Sequence, residues 1–570
     1  MNKKTIWVLI ILFFFILGLV VLLSMVYSFF RPEKVEVANN AYLEIKLDGR
    51  LDDYNAGPQL TDFFQGKIMS LYDTWLNLKK ASRDPRIKAV VLRFGLLEAD
   101  WAKMNELREA ILEFRKSGKP AIAYIEEAPD ADQEYYLASA CDKIIIHPLG
   151  WLGLNGLAAE IPFFKGTLDK LGIKAEFEHI EKYKTAYNQF TETGFTPEHK
   201  EMMESIYRDF FETYLNTISS ARKVKPEKMK ELIDRGSFQA QEALKAGLVD
   251  GLAYEDNLFA EAGYKKLPEL TKITNEKYAS LNPEVFGLNR GQKLALIFAS
   301  GAIINGEGQM VALGSETFTR WLRKAAADRS VAAIVVRVDS PGGSALGSDV
   351  IWHEMLMARK EKPVVVSMSG LAGSGGYWIS LAGNYIIAQP QTLTGSIGVI
   401  SGKFSFAGLM QKLGIKTEKI VFGKEADAYS IYREFTPEER AALKNQIRII
   451  YQQFLERVAT ARNLPVEEVD RIGQGRVWTG HQALELKLVD QLGGLDTAIN
   501  VAKKLAGIPA EQEVRLVVWP KKRKLFDLFL GKQTELQELI YYSELMNVYS
   551  RIIRVLAQPA VWSLMPIFRY

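Results

Sequence analysis

The stretch VVVSMSGLAGSGGYWISLAGNYIIAQPQTLTGSIG, residues 364–398, is the part of the sequence from which the rest of the chain can be interpreted. It opens with three valines, and a β-branched run of this kind predicts a buried strand. Closely spaced glycines, beginning with Gly370, then turn the chain, and an apolar segment follows from residue 377. Ser374 is therefore expected where a strand passes into a helix, among residues too small to cover it. This setting is typical of a nucleophile, although an ordinary Gly/Ser turn is the commoner explanation of such a motif.

The chain around this stretch contains an internal repeat. Three pairs of matching segments are KLGIK at 170–174 and 412–416, IKAVVLRF at 87–94 and VAAIVVRV at 331–338, and ALKAGLVDGL at 243–252 and ALELKLVDQL at 483–492. The sequence thus predicts two copies of one fold, residues 42–265 and 293–508. A polar linker that contains proline, residues 266–292, joins them.

Each copy alternates short strands rich in β-branched residues with amphipathic helices. The clearest predicted strands are residues 89–92, 122–125, 334–338 and 364–366, and the clearest predicted helices are residues 101–116, 318–327 and 348–361. Alternation of this kind favours the α/β class, with largely parallel strands.

The composition excludes several kinds of protein. It is ordinary for a folded chain, at 48% hydrophobic and 25% charged residues, and a formal net charge of +4 gives no indication of a nucleic-acid partner. The single cysteine, Cys141, excludes an internal disulfide framework and any metal site built from several thiolates. No cofactor is therefore predicted.

The two ends of the chain differ from the repeat. Residues 5–30 carry no charge, and a helix over this run is long enough to cross a hydrocarbon core of about 30 Å. No small-residue cleavage site follows the run. Residues 1–41 are therefore predicted to hold an uncleaved transmembrane helix, with the N-terminus in the cytoplasm and the rest outside. Residues 509–570 combine a basic cluster with an apolar, aromatic stretch. A helical tail is expected there, packing either on a protein partner or on a membrane surface.

A second glycine-rich turn follows the predicted strand 334–338. It reads DSPGGS, residues 339–344, and its glycines allow backbone N–H groups to approach a ligand closely. Two such turns fit an acyl-transfer site, in which Ser374 supplies the attacking oxygen. The N–H groups of Gly342 or Gly343 and of Gly375 would then bind the oxyanion. A phosphate cradle is the competing explanation, but neither the P-loop Lys-Ser/Thr pair nor the G-x-G-x-x-G spacing is present.

A serine nucleophile needs a base, and the repeat indicates which residue supplies it. None of the five histidines lies in a turn that pairs with the region of Ser374. A lysine can serve if burial keeps its amine neutral. The segment EKYKTAY at 181–187 aligns with GKEADAY at 423–429, so that Lys184 aligns with Ala426 and is specific to the first copy.

The losses in the two copies are complementary. The first copy has Asp132 where the second has Ser374, and Gly-Leu-Leu at 95–97 where the second has its glycine-rich turn. We therefore predict one composite site, with a base from the first copy and a nucleophile from the second. Ser396, which aligns with Leu154, is a third candidate whose hydroxyl would orient the amine; an ordinary turn serine is the alternative. The sequence leaves open whether the base and the nucleophile meet within one chain or between neighbouring chains.

At these residues the chain resembles the signal peptide peptidase A (protease IV) family of serine peptidases, in its long tandem-repeat form. The matching pieces are DSPGGS at 339–344, GSGGYW at 373–378, TGSIG at 394–398 and KYKTA at 182–186. The resemblance implies tandem ClpP/crotonase-like repeats, stacked ββα units, behind the transmembrane helix. It also implies a Ser/Lys dyad of Ser374 and Lys184, with Ser396 assisting.

The resemblance further implies a homotetramer tethered to the bacterial cytoplasmic membrane by a single span, with its catalytic part on the periplasmic side. Its substrates would be cleaved signal peptides and other apolar peptides. Two other functions are considered: a crotonase-like enzyme that acts on acyl-CoA thioesters, and a membrane scaffold without catalytic activity. The predicted anchor and the nucleophilic setting of Ser374 argue against the acyl-CoA enzyme.

Overall fold

The computed structural model describes residues 35–57, 69–264, 270–308 and 312–522. The predicted transmembrane helix and the part of the tail after residue 522 lie outside these residues. Among the helices of the described segments, none is both long and apolar enough to cross a membrane.

The first copy alternates strands and helices, as its hydrophobic pattern predicts. Its elements are β1 (Ala41–Arg50), α1 (Leu71–Arg83), β2 (Ile87–Glu98), α2 (Trp101–Arg115), β3 (Ala121–Ala128), α3 (Asp132–Ala138), β4 (Lys143–Gly153), α4 (Lys165–Leu171), β5 (Lys174–His179), α5 (Asn188–Thr191), α6 (Pro197–Arg222), α7 (Pro226–Arg235), β6 (Ser237–Gln239), α8 (Ala240–Lys245), β7 (Gly251–Leu252), a 3₁₀ turn (Glu255–Asn257) and α9 (Leu258–Glu261).

The second copy repeats this order after a short connecting region. The connecting elements are β8 (Thr271–Thr274), α10 (Asn275–Ala279) and a 3₁₀ turn (Pro283–Phe286). The later elements are β9 (Gln292–Ser300), β10 (Ala302–Ile304), β11 (Ala312–Gly314), α11 (Ser315–Ala327), β12 (Val331–Ser340), α12 (Ala345–Glu361), β13 (Val364–Gly373), α13 (Gly375–Ser380), β14 (Tyr385–Ala388), β15 (Leu393–Gly395), β16 (Ile400–Ser405), α14 (Ala407–Lys412), α15 (Pro437–Arg462), α16 (Val466–Ile472), β17 (Val477–Thr479), α17 (Gly480–Glu485), β18 (Gln491–Leu492), α18 (Leu495–Leu505) and β19 (Val514–Trp519).

Each copy forms one large, mostly parallel sheet. The first has the strand order β6-β4-β3-β2-β1-β8, with β7 beside β4, and its antiparallel pair is β4 with β6. The second has the order β17-β15-β13-β12-β9-β19, with β14 between β13 and β18, and its antiparallel pair is β15 with β17. The predicted α/β class with largely parallel strands is confirmed.

The two copies also repeat individual contacts. The hydroxyl of Tyr135 donates to the carbonyl of Leu248 at 2.8 Å in the first copy. The hydroxyl of Tyr377 donates to the carbonyl of Leu488 at 2.9 Å in the second. These bonds tie α3 to the loop before β7 in the first copy and α13 to the loop before β18 in the second, so the copies share local packing as well as strand order.

The connecting region and the chain after residue 508 both add an edge strand. β8, from the predicted linker, pairs in parallel with β1, and β19, from the predicted helical tail, pairs in parallel with β9. An open sheet edge leaves backbone N–H and C=O groups unpaired, and these strands satisfy those groups. Residues 271–274 and 514–519 are thus parts of the two sheets.

One apolar core runs through both copies. Helices α1 and α2 lie between the two sheets, so that Leu43 of the first sheet, Trp101 of α2 and Val335 of the second sheet belong to one buried cluster. Since the copies share this core, their relative position is set by packing and not by the connecting region alone.

A small third sheet carries the first copy across to the second. In it β5 pairs antiparallel with β16, from His179 opposite Ile400 to Lys174 opposite Ser405. The loop after β5 carries Lys184. This pairing therefore delivers a segment of the first copy to the carboxyl end of the second sheet.

Candidate active site

Ser374 lies in a strained turn between β13 and α13. Its φ of 52° and ψ of −115° fall in a region that residues other than glycine rarely adopt. Its N–H donates to the carbonyl of Gly395 at 2.9 Å, and its carbonyl accepts from the N–H of Trp378 at 2.9 Å. The turn is thus held from both sides, as at other strand-to-helix turns that present a nucleophile.

The turn begins later than the sequence predicts. β13 continues through Gly370 to Gly373, whereas the glycines suggested a turn from Gly370 onward. Gly370 is required for a different reason: a Cβ there would lie 2.2 Å from a carboxylate oxygen of Asp100 in the first copy. The glycine permits close packing between the copies, and it lies where the pairing of β13 with β12 shifts register, from Val338 opposite Met368 to Ser340 opposite Ala372.

Lys184 reaches Ser374 from the first copy. The Nζ of Lys184 lies 3.1 Å from the Oγ of Ser374, 2.8 Å from the Oγ of Ser396 and 2.9 Å from the carbonyl oxygen of Ser396. Lys184 is 2% exposed. The structure therefore brings the three predicted site residues together within one chain.

Burial changes the ionisation of this lysine. Removal from water lowers the pKa of Lys184 from 10.5 to about 7, and this desolvation is the sole cause. A neighbouring carboxylate would favour the ammonium form and hold the pKa high. Within the described residues, Lys184 makes no ion pair with one, so an appreciable fraction of its amine is neutral near pH 7.

Parallel pairing places the two serines side by side. β13 and β15 pair in register, with Gly373 opposite Gly395 at their ends. Ser374 and Ser396 are the residues that immediately follow these two strands. Ser396 also has a positive φ, 49°, and its N–H donates to the carbonyl of Arg476 at 2.7 Å. The two hydroxyls therefore flank the same amine.

The predicted glycines line the other side of Ser374. A Cβ on Gly342 would lie 2.5 Å from the backbone nitrogen of Gly375 and 2.9 Å from the Cβ of Ser374, so only glycine fits. The N–H of Gly342 donates to the Oγ of Ser340 at 3.2 Å. The N–H of Gly375 belongs to the first turn of α13, where the helix itself supplies no acceptor.

Gly343 is oriented differently from Gly342. Ile303 donates its N–H to the carbonyl of Gly342 at 2.8 Å and accepts from the N–H of Ser344 at 2.8 Å. In such a parallel bridge the N–H of the residue between these two groups points away from the partner strand. The N–H of Gly343 is therefore turned away from Ile303.

A cavity of about 290 Å³ opens beside these groups. Its polar end is formed by Lys184, Ser374, Gly343 and Gly375. Its apolar lining includes Trp378, Val399, Ile400, Ile447, Ile450 and Phe454. The reactive groups thus face a space that suits an apolar side chain.

The sequence did not indicate the loop that packs behind Lys184. A Cβ on Gly475 would lie 2.5 Å from the Cβ of Lys184, and the following residue, Arg476, accepts the bond from Ser396. The available signal was another difference between the copies: the first copy has Arg235 and Gly236 at the matching positions. No motif marks this loop, because its contact with Lys184 depends on the cross-copy pairing of β5 with β16.

In the first copy, the position that corresponds to Ser374 is occupied by Asp132, whose side chain bonds to nearby backbone groups. The carboxylate of Asp132, at the start of α3, accepts from the N–H groups of Asn155 at 3.0 Å and Gly156 at 3.1 Å. Burial raises the pKa of Asp132 to about 6. A carboxylate bonded to the backbone stands where the second copy has the hydroxyl of Ser374, which is bonded to Lys184.

Comparison with known proteins supports the repeat and identifies a family of serine peptidases. Residues 113–267 and 357–509 each match peptidase family S49. The chloroplastic serine protease SPPA of Arabidopsis thaliana is 34% identical over 84% of this chain and 71% of its own length. Protease 4 of Salmonella typhi is 35% identical over 77% of this chain and 72% of its own length. Protease 4 of Haemophilus influenzae is 32% identical over 86% of this chain and 83% of its own length.

Among solved structures, a point mutant of ClpP1 from Listeria monocytogenes matches 36% of this chain and 94% of its own, with 14% identity and a TM-score of 0.24. The two segments that match peptidase family S49, residues 113–267 and 357–509, together cover more than half of the sequence. The chain therefore belongs to peptidase family S49, and it is a serine peptidase of the Protease 4/SPPA type with two copies of the family's domain.

Proposed function

We propose that this peptidase is an endopeptidase that uses Ser374 as nucleophile and Lys184 as general base. The observation that carries the proposal is the 3.1 Å distance between the Nζ of Lys184 and the Oγ of Ser374. That distance is within reach for direct proton transfer. A buried lysine without a carboxylate partner is also the form of lysine that can accept a proton near neutral pH.

In the first half of the proposed reaction, the neutral amine of Lys184 takes the proton of the Ser374 hydroxyl as the Oγ bonds to the substrate carbonyl carbon. The N–H groups of Gly343 and Gly375 stabilise the resulting oxyanion. Gly342, whose own N–H is already bonded, allows the turn to approach Ser374 closely. As the intermediate collapses, the peptide C–N bond breaks, and the ammonium of Lys184 protonates the leaving amine.

In the second half, water replaces the leaving peptide. Lys184 takes a proton from this water as its oxygen attacks the acyl carbon. The ester bond to the Oγ of Ser374 then breaks, and the proton returns from Lys184 to that oxygen. Ser396 acts as a positioning residue throughout, since its Oγ and carbonyl accept two N–H bonds and leave the lone pair of the amine facing Ser374.

The proposed substrates are apolar peptides, including cleaved signal peptides. Part of the cavity lining beside Ser374 is apolar, and the lining contains three aromatic side chains: Trp378, Tyr429 and Phe454. Burial of an apolar side chain there is favourable by about 25 cal/mol per Å² of area removed from water. The predicted transmembrane helix within residues 5–30 would keep the enzyme at the periplasmic face of the cytoplasmic membrane, where such peptides are released.

The proposal includes a homotetramer, and the repeat supports assembly through copies of one contact. β5 of the first copy pairs with β16 of the second within the chain. The equivalent segments, residues 416–421 and 158–163, form no strand, and Ile420 is 89% exposed. Pairing of these segments between chains would repeat the internal contact, and a contact of this head-to-tail kind closes a ring when the rotation permits.

The dyad is tested with Ser374→Ala and Lys184→Ala variants and an internally quenched apolar peptide. Each variant should lose activity by about a thousandfold or more, because each removes a group that acts in the transition state. Lys182→Ala, which removes an exposed lysine from the same loop, is the matched control and should keep near-normal turnover. Circular dichroism establishes that each variant folds, and near-wild-type turnover by either dyad variant would refute the assignment.

A further inference from the structure

A three-residue loop of the second copy, residues 474–476, is bonded both to the segment that carries the proposed base and to Ser396. The N–H of Tyr183, which precedes the proposed base, donates to the carbonyl of Gln474 at 3.0 Å. The N–H of Ser396 donates to the carbonyl of Arg476 at 2.7 Å. The loop therefore connects the segment that carries the lysine to the serine that orients its amine.

Two side chains of the first copy contact the side chain of Arg476 from this loop, and we refer to the three as the Tyr183–Glu201–Arg476 clamp. The guanidinium carbon of Arg476 lies 4.8 Å from the centre of the Tyr183 ring. An Nη1 of Arg476 lies 2.7 Å from one carboxylate oxygen of Glu201, and the hydroxyl of Tyr183 donates to the other at 2.6 Å. These two donors lower the pKa of Glu201. Tyr183 and Glu201 come from the first copy and Arg476 from the second, so the clamp spans the two copies.

The clamp exists only where the composite site exists. The repeat counterparts of its three members are Glu425, Ala441 and Gly236. Those residues have neither a ring nor a cation and cannot reproduce its contacts. The same asymmetry marks Ser374 and Lys184, whose counterparts are Asp132 and Ala426. Residues that serve only the shared fold, such as Tyr135 and Tyr377, are instead retained in both copies.

We propose that Arg476, together with Tyr183 and Glu201, acts as a positioning device that holds the lysine loop closed on residues 474–476 and aims the amine at Ser374. This inference rests on the proposed Ser/Lys mechanism. The members of the clamp do not touch the reacting atoms, and they act on the reaction through Lys184.

The packing behind Lys184 explains how the clamp would act on the amine. Gly475 lies against the backbone and the Cβ of Lys184, and a Cβ added to Gly398 would lie 3.2 Å from its Cδ. Opening of the clamp would separate the lysine stem from these glycines and admit water. Because hydration favours the ammonium, the pKa of Lys184 would then rise from about 7. The titratable or charged side chains around Lys184 include Glu181, Lys182, Tyr183 and Tyr187 on its own segment, and Glu201, Tyr429, Tyr451, Asp470 and Arg476 on the neighbouring segments.

The test measures kcat and KM against pH for Arg476→Ala, Tyr183→Phe and Glu201→Gln, with the quenched apolar peptide. Each variant should lower kcat at pH 7 by about tenfold and leave KM within about twofold, because the base is misplaced while the substrate cavity is intact. The midpoint of the rise in activity with pH should increase by about one unit. Arg476→Lys, which keeps the charge but not the planar stacking, should fall between Arg476→Ala and the wild type.

The pH midpoint of Glu201→Gln distinguishes a positioning role of the clamp from a direct effect of the Glu201 charge on Lys184. Loss of a nearby negative charge would by itself lower the midpoint, since the ammonium would be less favoured. Opening of the clamp raises it. A lower midpoint in Glu201→Gln, or an unchanged kcat and midpoint in Arg476→Ala, would overturn the proposal.

Ser205→Ala is the matched control. Ser205 lies one turn further along α6, and its Oγ accepts a cross-copy hydrogen bond from the side chain of Gln482 at 3.0 Å. Its loss should change neither kcat nor the midpoint. If Arg476→Ala does not fold, Tyr183→Phe, which removes only one hydroxyl, and Glu201→Gln decide the question. An active Lys184→Ala would reject the proposed function itself, whereas an inactive Lys184→Ala with unaffected clamp variants would reject the clamp alone.

Discussion

At the scale of single residues, the proposed chemistry depends on the proton of one amine. Lys184 lies among glycines and hydroxyl groups, which provide acceptors for its N–H bonds but no negative charge. Its pKa is therefore set by burial and lies near 7, not near the 10.5 of a solvated lysine. Above this pKa the amine is neutral and accepts a proton, and below it the amine is an ammonium that does not.

The pH dependence of the wild-type enzyme follows from this ionisation, because only the neutral amine can act as the base. We expect kcat/KM to rise with pH, to pass half its maximum near pH 7, and to remain high in alkaline solution. The measurement is hydrolysis of the quenched peptide between about pH 5 and about pH 10, with a folding check at each end. Activity that peaks at about pH 6 and then falls sharply would contradict a lysine base.

The sequence was sufficient to identify Ser374, Lys184 and Ser396 as candidates, because each has a chemically different counterpart in the other copy. It was not sufficient for Gly475 or Arg476. Their importance comes from contact with a loop almost 300 residues earlier in the chain. Such a contact exists only after the two copies have packed against each other.

At the scale of elements, β12 carries a charge into the core between the copies. Arg337 forms a two-point ion pair with Asp53, with both nitrogen–oxygen distances 3.1 Å, and a further bond to Glu106. Its side chain is 2% exposed. Both acidic partners come from the first copy, so this cluster fixes the second sheet, and with it the turn after β12, against the first copy.

The energetic consequence can be tested against an internal control. Arg337→Met leaves two acidic groups buried without their cation and should lower the free energy of unfolding by about 3–5 kcal/mol. Arg93 is the repeat counterpart, on β2, but its side chain is 16% exposed and two of its partners, Glu126 and Glu255, lie at the surface. Arg93→Met should cost about 1 kcal/mol or less. If chemical denaturation gave equal losses of unfolding free energy for the two variants, burial of the Arg337 cluster would not be the source of its contribution to stability.

The strands and long helices were predictable because their apolar patterns are local. The predicted helix 101–116 corresponds to α2, and the predicted strand 334–338 forms the centre of β12. The ends of elements were less predictable, since they depend on neighbours: β13 extends past Gly370 because residues 371–373 pair with β15. The strands β8 and β19 were missed because each is stabilised by a sheet edge that the local sequence does not reveal.

At the scale of the whole molecule, the arrangement predicts that the dyad forms within a single chain. Lys184 and Ser374 meet across the core shared by the two copies of one chain. Ser374→Ala and Lys184→Ala chains, carrying different tags and purified together, should therefore show no more activity than either variant alone. The readout is turnover of the quenched peptide by the doubly purified assembly.

Wild-type chains mixed with Ser374→Ala chains provide the reference for that experiment. Their activity should follow the fraction of wild-type chains, because each intact chain contributes its own dyad. Substantial recovery of activity in the mixture of the two inactive variants would mean that the base and the nucleophile come from different chains.

The separation of Lys184 from Ser374 by 190 residues also has a consequence for synthesis. The ribosome completes the lysine-bearing half well before it adds the hydroxyl-bearing half. A growing polypeptide therefore holds no hydrolytic capacity until the later half has emerged and docked. Under the proposed mechanism, the order of translation therefore delays catalysis until the later half has been made and has packed against the earlier one.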